Sequence, residues 1–267
     1  MKIVTLIENL VYQQDLMAEH GLSIYMEADN QKILFDTGQS GGFLQNALNL
    51  GIAIEEIDSL VLSHGHYDHT GGLYPFLGKN QKAKVYAKKE IFVPKYHGDN
   101  HFIGTLQNEP LLQGRLVYVE TVTEIAENVY IMPHINVSHP ANTFYKGFSI
   151  KNNNEYLPDT FDDELFMTIR QNEQINIITA CSHNGIINIC TTATDHFNLP
   201  VNLILGGFHM KNCSAEQLKQ VTDYFQVLRP KSIGVCHCTG VEKYAEMRQA
   251  SEAHLFYGFT GYRINIS

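Results

Sequence analysis

Chemistry in this chain is concentrated in the stretch Ser63-His64-Gly65-His66-Tyr67-Asp68-His69-Thr70-Gly71-Gly72. Three imidazoles and one carboxylate fall within six residues, in the spacing His-x-His-x-Asp-His. Imidazole and carboxylate are borderline-to-hard donors that suit zinc, iron or manganese. In an extended segment alternate side chains face the same way, so His64 and His66 can present two imidazoles together. Asp68 and His69 follow at a turn and can face a second ion about 3.5–4 Å from the first, the usual separation in two-metal sites. The apolar lead-in Ser59-Leu60-Val61-Leu62 reads as a strand, which argues against a polar surface loop that merely happens to be rich in histidine.

Three later segments each place a histidine at the end of an apolar strand: Ala180-Cys181-Ser182-His183, Leu205-Gly206-Gly207-Phe208-His209 and Val235-Cys236-His237-Cys238. In α/β folds functional groups gather where strands end. His183 and His237 are expected to complete a dinuclear site with His64, His66, Asp68 and His69. His209 is expected to act in catalysis beside Asp68, as a ligand or a lining residue, with substrate contact as the competing role. His20, before the second strand, is a further site candidate. His97 and His101 fall in a long irregular insertion at 91–115, where a lid or substrate loop competes with a plain solvated loop. His134 and His139 are not expected to be ligands.

The elements that must position these residues alternate between strand and helix. Strands are expected at 2–7, 22–28, 32–36, 84–88, 115–120, 128–132, 175–179, 201–205 and 232–235. Helices are expected at 42–50, 71–77, 185–197 and 241–250. Ser214 and Gln217 form a capping box ahead of another helix, whose apolar face is Leu218, Val221, Phe225 and Leu228. The helix opening at Gly71-Gly72 could set backbone N–H groups near an anion. Residues 151–163 read as a polar, turn-rich excursion. The alternation indicates an α/β layer architecture.

These motifs resemble the signature of the metallo-β-lactamase superfamily. The set Glu-His-Gly-Leu-Ser near the start, the complete His motif, Cys-Ser-His, Gly-Gly-Phe-His and His-Cys-Thr-Gly is similar to one branch of it. That branch includes the dihydropterin–ribofuranosylaminobenzene phosphate synthase of methanopterin biosynthesis. The resemblance implies an αββα sandwich of two mixed β-sheets flanked by helices, over a single domain spanning 1–267. It also implies that Asp36-Thr37-Gly38 supports the metal loop, with a plain strand-ending turn as the competing reading. Two departures stand out. The His-Thr-x-Gly-His-Thr element of commoner members is missing, and so is the usual bridging aspartate, whose strand end holds Cys181-Ser182-His183.

Composition bounds the rest. The chain of 267 residues is 44% hydrophobic and 18% charged, with ample length for a sizeable core. A net charge of −9 argues against nucleic acid as a partner. The apolar opening is interrupted by Glu8 and Asn9, so no signal peptide is expected, and no apolar run is long enough to span a membrane. The expected location is the cytoplasm. Five cysteines, an odd number in a chain of this size, argue for reduced thiols rather than a disulfide framework. The leading reading is a metal-dependent hydrolase with two divalent ions, zinc ahead of iron or manganese, acting on a small anionic substrate that is phosphorylated or pterin-like. A pterin-type transferase is the alternative. A metal-dependent nuclease and a metal or redox sensor, with Cys236 and Cys238 flanking His237, are further alternatives.

Overall fold

The computed structural model describes residues 1–152, 155–251 and 253–266. The chain divides into two compact units. The first comprises 1–120, 145–163 and 259–267; the second comprises 121–144 and 164–258.

The first unit is built on a mixed sheet. Its strands run, edge to edge, Arg263–Asn265, Lys2–Ile7, Ser23–Ala28, Gln31–Phe35, Ser59–Val61, Lys84–Ala87 and Leu116–Tyr118. The half nearer the chain start pairs antiparallel. From Gln31–Phe35 onward the pairs are parallel. Helices Gly42–Asn49 and Leu73–Lys79 bury Phe43, Ala47, Leu73 and Phe76 in one core with Leu6, Leu34, Leu60, Leu62 and Val85.

The insertion and the polar excursion differ from their sequence reading, because they pair with each other. Lys95–His97, His101–Phe102, Phe148–Asn152 and Glu155–Pro158 form a second, antiparallel sheet in the order Glu155–Pro158, Phe148–Asn152, Lys95–His97, His101–Phe102. Each segment alone is too short and too polar to announce a strand, and only the long-range pairing makes one. Asn153 and Asn154 of the excursion lie outside the described residues.

The second unit carries its own mixed sheet, ordered His254–Tyr257, Ser232–Val235, Val201–Gly206, Gln174–Ile178, Phe166–Gln171, Val129–Met132, Thr123–Ala126. The first three pairs are parallel and the remainder antiparallel. Val201–Gly206 is buried at every position, as expected of a parallel strand covered on both faces. Helices Ile186–Phe197, Ala215–Leu228 and Val241–Ala250 follow these strands. The capping box is formed: the Gln217 N–H donates to the Ser214 hydroxyl, and the Ser214 N–H donates to the Gln217 side chain.

Candidate functional site

In the first unit the donors sit beyond the carboxyl ends of parallel strands. The His64 ring lies 4.6 Å from the His66 ring and 4.3 Å from the His69 ring, centroid to centroid. Both His64 and His69 are fully buried. Asp68 Oδ2 is 3.8 Å from His69 Nε2 and 3.2 Å from His20 Nε2. His20 is thus beside Asp68, as its position before the second strand suggested, and it is largely exposed.

Asp36 holds this loop in shape. Its carboxylate accepts the Ser63 N–H at 2.7 Å and the Ser63 hydroxyl at 2.7 Å, and pairs with His69 Nδ1 at 2.7 Å. Ser63 Oγ is in turn 2.9 Å from His64 Nδ1. A carboxylate on Nδ1 fixes the imidazole orientation and makes Nε2 the nitrogen directed at a cation. Thr37 completes the support, its N–H and hydroxyl both donating to the His69 carbonyl. The support role expected of Asp36-Thr37-Gly38 is therefore what the geometry shows, rather than a plain strand-ending turn.

The expected anion cradle at Gly71-Gly72 is not what forms. The Gly71 N–H donates to the Tyr67 carbonyl at 2.7 Å and the Gly72 N–H to the Gly38 carbonyl at 3.3 Å. These glycines are required by close backbone approach instead. A Cβ at Gly71 would lie 2.0 Å from the Gln39 carbonyl oxygen, and one at Gly72 would lie 2.3 Å from that of Thr37.

A second carboxylate supports the same loop and was missed in the sequence. Asp163 Oδ2 accepts the Gly65 N–H at 2.6 Å. Its other oxygen pairs with buried Lys95 at 2.9 Å, and Lys95 also pairs with Asp159 at 2.7 Å. Burial alone would lower the Lys95 ammonium, but Asp163 and Asp159 hold it above its ordinary value. Burial pushes the Asp163 carboxyl up. The only sequence signal was an acidic run inside a polar stretch, which reads more readily as solvated surface. Aromatic rings flank the loop. Phe148 stacks on His66 at 5.2 Å, Phe161 meets His66 edge-on at 5.3 Å, and Phe148 lies 4.8 Å from His97.

In the second unit three parallel strands deliver the other donors. One donor atom from each of Cys181, His183 and His209 lies within 4.8 Å of the other two, and the same holds for Cys181, His237 and Cys238. The His183 and His209 rings are 4.3 Å apart. Ser182, His209 and His237 adopt φ of 56°, 52° and 50°. For residues other than glycine this left-handed conformation costs about 1–2 kcal/mol, and such positions cluster at functional sites. Glu164, also missed in the sequence, accepts the His183 and Asn184 N–H groups at 2.7 Å each. The His209 N–H donates to Cys238 Sγ at 3.2 Å. Burial alone would push the Cys238 thiol up, but contacts with Cys181 and His209 and the nearby imidazoles hold it well below the ordinary thiol range. Cys190, by contrast, is pushed up by burial alone. No disulfide joins any of the five cysteines. His134 and His139 are exposed. The chemistry of both donor sets, buried imidazoles with carboxylate or thiol neighbours, fits a divalent transition-metal ion.

A family model described as the metallo-beta-lactamase superfamily matches residues 17–148. A solved metal-dependent hydrolase of the beta-lactamase superfamily is 30% identical to this chain, with a TM-score of 0.88, covering 100% of this chain and 99% of the other. This chain belongs to the metallo-β-lactamase superfamily. It has the α/β fold of that superfamily, with mixed sheets and helices. Two proteins of Methanocaldococcus jannaschii are also similar. An uncharacterized protein is 31% identical over 99% of this chain and 100% of its own length. The second, 29% identical over 90% of this chain and 88% of its own length, is 7,8-dihydropterin-6-methyl-4-(beta-D-ribofuranosyl)-aminobenzene-5'-phosphate synthase. Metal-dependent hydrolases and a synthase thus both occur among the relatives of this superfamily member. Among the described residues, no helix is long and apolar enough to cross a membrane.

Proposed function

We propose that this superfamily member is a cytoplasmic metal-dependent enzyme holding two divalent ions, zinc ahead of iron or manganese. Its proposed ligands are His64, His66, Asp68 and His69 of the first unit and His183 and His237 of the second. The observation that carries this reading is the packing of His64, His66 and His69 into one cluster, with Asp36 fixing His69 through Nδ1. Bound ions of this kind supply Lewis acidity and a water that ionises near neutral pH. Asp68, within reach of both His20 and His69, is the group we assign to holding an ion and orienting water. His209 is assigned to the substrate side of the second donor set.

The substrate we propose is small, anionic, and phosphorylated or pterin-like. Two observations support it: the synthase among the relatives, and the Phe148 and Phe161 rings beside His66, which suit a planar heterocycle. With the Gly71 and Gly72 N–H groups already donated, an anionic group is expected to bind through the ions. The segment 91–115 is proposed as a lid. Hydrolysis is the leading chemistry and pterin-type transfer the second, favoured by the same relative.

The test is turnover by protein purified with its native metal and given phosphorylated pterins, bis-p-nitrophenyl phosphate and generic RNA in parallel. Turnover of a phosphorylated pterin that is lost in Asp68→Ala supports the reading. Cleavage of RNA instead moves it to a nuclease. Metal release on mild oxidation, with no turnover of anything, moves it to a sensor.

A further inference from the structure

Cys181 is buried and belongs to both donor trios of the second unit, one with His183 and His209 and one with His237 and Cys238. We propose that the Cys181 and Cys238 thiolates are metal ligands, and that Cys181 Sγ is the donor shared between the two trios. The proposal rests on the reading above that the chain binds divalent metal.

Three observations carry it. In a tetrahedral zinc site with Zn–S near 2.3 Å and Zn–N near 2.0–2.1 Å, neighbouring donor atoms stand about 3.3–3.8 Å apart. Donor atoms that already lie within 4.8 Å of one another need only small side-chain rotations to reach that spacing. The backbone holds the left-handed conformation just past three adjacent parallel strands, at Ser182, His209 and His237. Among the other positive-φ residues, Asn198 and Arg229 close helices, a need these three do not share. Finally, the sulfur of Cys238 has been given room by a glycine. A Cβ at Gly207 would lie 2.6 Å from it and 2.5 Å from the Ala180 carbonyl oxygen, so only glycine lets that strand end approach the thiol.

Soft sulfur donors change what the second unit selects. Thiolate favours zinc and other borderline-to-soft ions over manganese or magnesium, which the imidazole and carboxylate donors of the first unit do not strongly exclude.

Cobalt(II) substitution of the full chain tests this, with cobalt content and near-ultraviolet thiolate-to-cobalt charge-transfer absorption both measured. The native chain should show the absorption. Cys181→Ser and Cys238→Ser should each reduce it by about half or more and weaken zinc binding beyond the roughly 10–100-fold that loss of an outer partner costs. Cys190→Ser should leave it intact. Cys181→Asp should recover metal content while still lacking the Cys181 share of the absorption, which separates ligand loss from misfolding. Full cobalt loading with no charge-transfer band would overturn the thiolate assignment alone. A native chain that takes up no cobalt would overturn both it and the metal-dependent reading.

Discussion

The two units solve one positioning problem with different parts. In the first, a single six-residue stretch supplies four candidate ligands, and Asp36 reaches one of them through its side chain. In the second, three strands separated by long helices supply the donors, and Glu164 accepts from the His183 and Asn184 N–H groups and from the Asn184 side-chain amide. Asp36 therefore sets the orientation of an imidazole, while Glu164 sets the path of a turn. Both are buried carboxylates that neutralise otherwise costly buried donors. The difference teaches where metal affinity and where stability should be most sensitive.

The largest effect is expected at Lys95, the ammonium behind the first unit's second support. Lys95→Met leaves Asp159 and Asp163 buried without their cation and should cost about 3–5 kcal/mol in chemical denaturation. Its pH dependence follows from the raised ammonium. Because the folded pKa lies above the unfolded one, the contribution is complete below about pH 10.4 and is lost as pH rises through the folded value. Lys95→Met should flatten that alkaline loss. Asp36→Asn should come next, at about 1.5–3 kcal/mol, with a roughly 10–100-fold fall in metal affinity. Glu164→Gln should cost a similar ~1.5–3 kcal/mol while moving affinity far less, because Glu164 meets the proposed ligand His183 at its backbone N–H. Equal affinity losses in the two variants would break the contrast between the units. The smallest effect is expected from Ser214→Ala, about 1 kcal/mol with unchanged metal content, since it removes only the cap of Ala215–Leu228.

How much was legible in the sequence follows the same divide. The His64–His69 loop was readable because its donors are neighbours in the chain and its supporting Asp36 ends an obvious strand. The strand-end histidines were readable one at a time, from the apolar runs before them. The trios that Cys181 shares were not, because they depend on which strands lie side by side. The β-layer built from Lys95–His97, His101–Phe102, Phe148–Asn152 and Glu155–Pro158 was missed for a related reason: its strands are short, and the central pair joins segments some fifty residues apart. Asp163 and Glu164 looked like solvated acid. Only the fold gives one of them the Gly65 N–H and the other the His183 turn.

The most direct test of the account is metal content per chain, by mass spectrometry of protein purified without a His tag or chelator, for the native chain, Asp68→Ala and His183→Ala. About two ions in the native chain, falling to about one or none in each variant, is the expected result. One ion or none in the native chain, with His183→Ala making no difference, would contradict it.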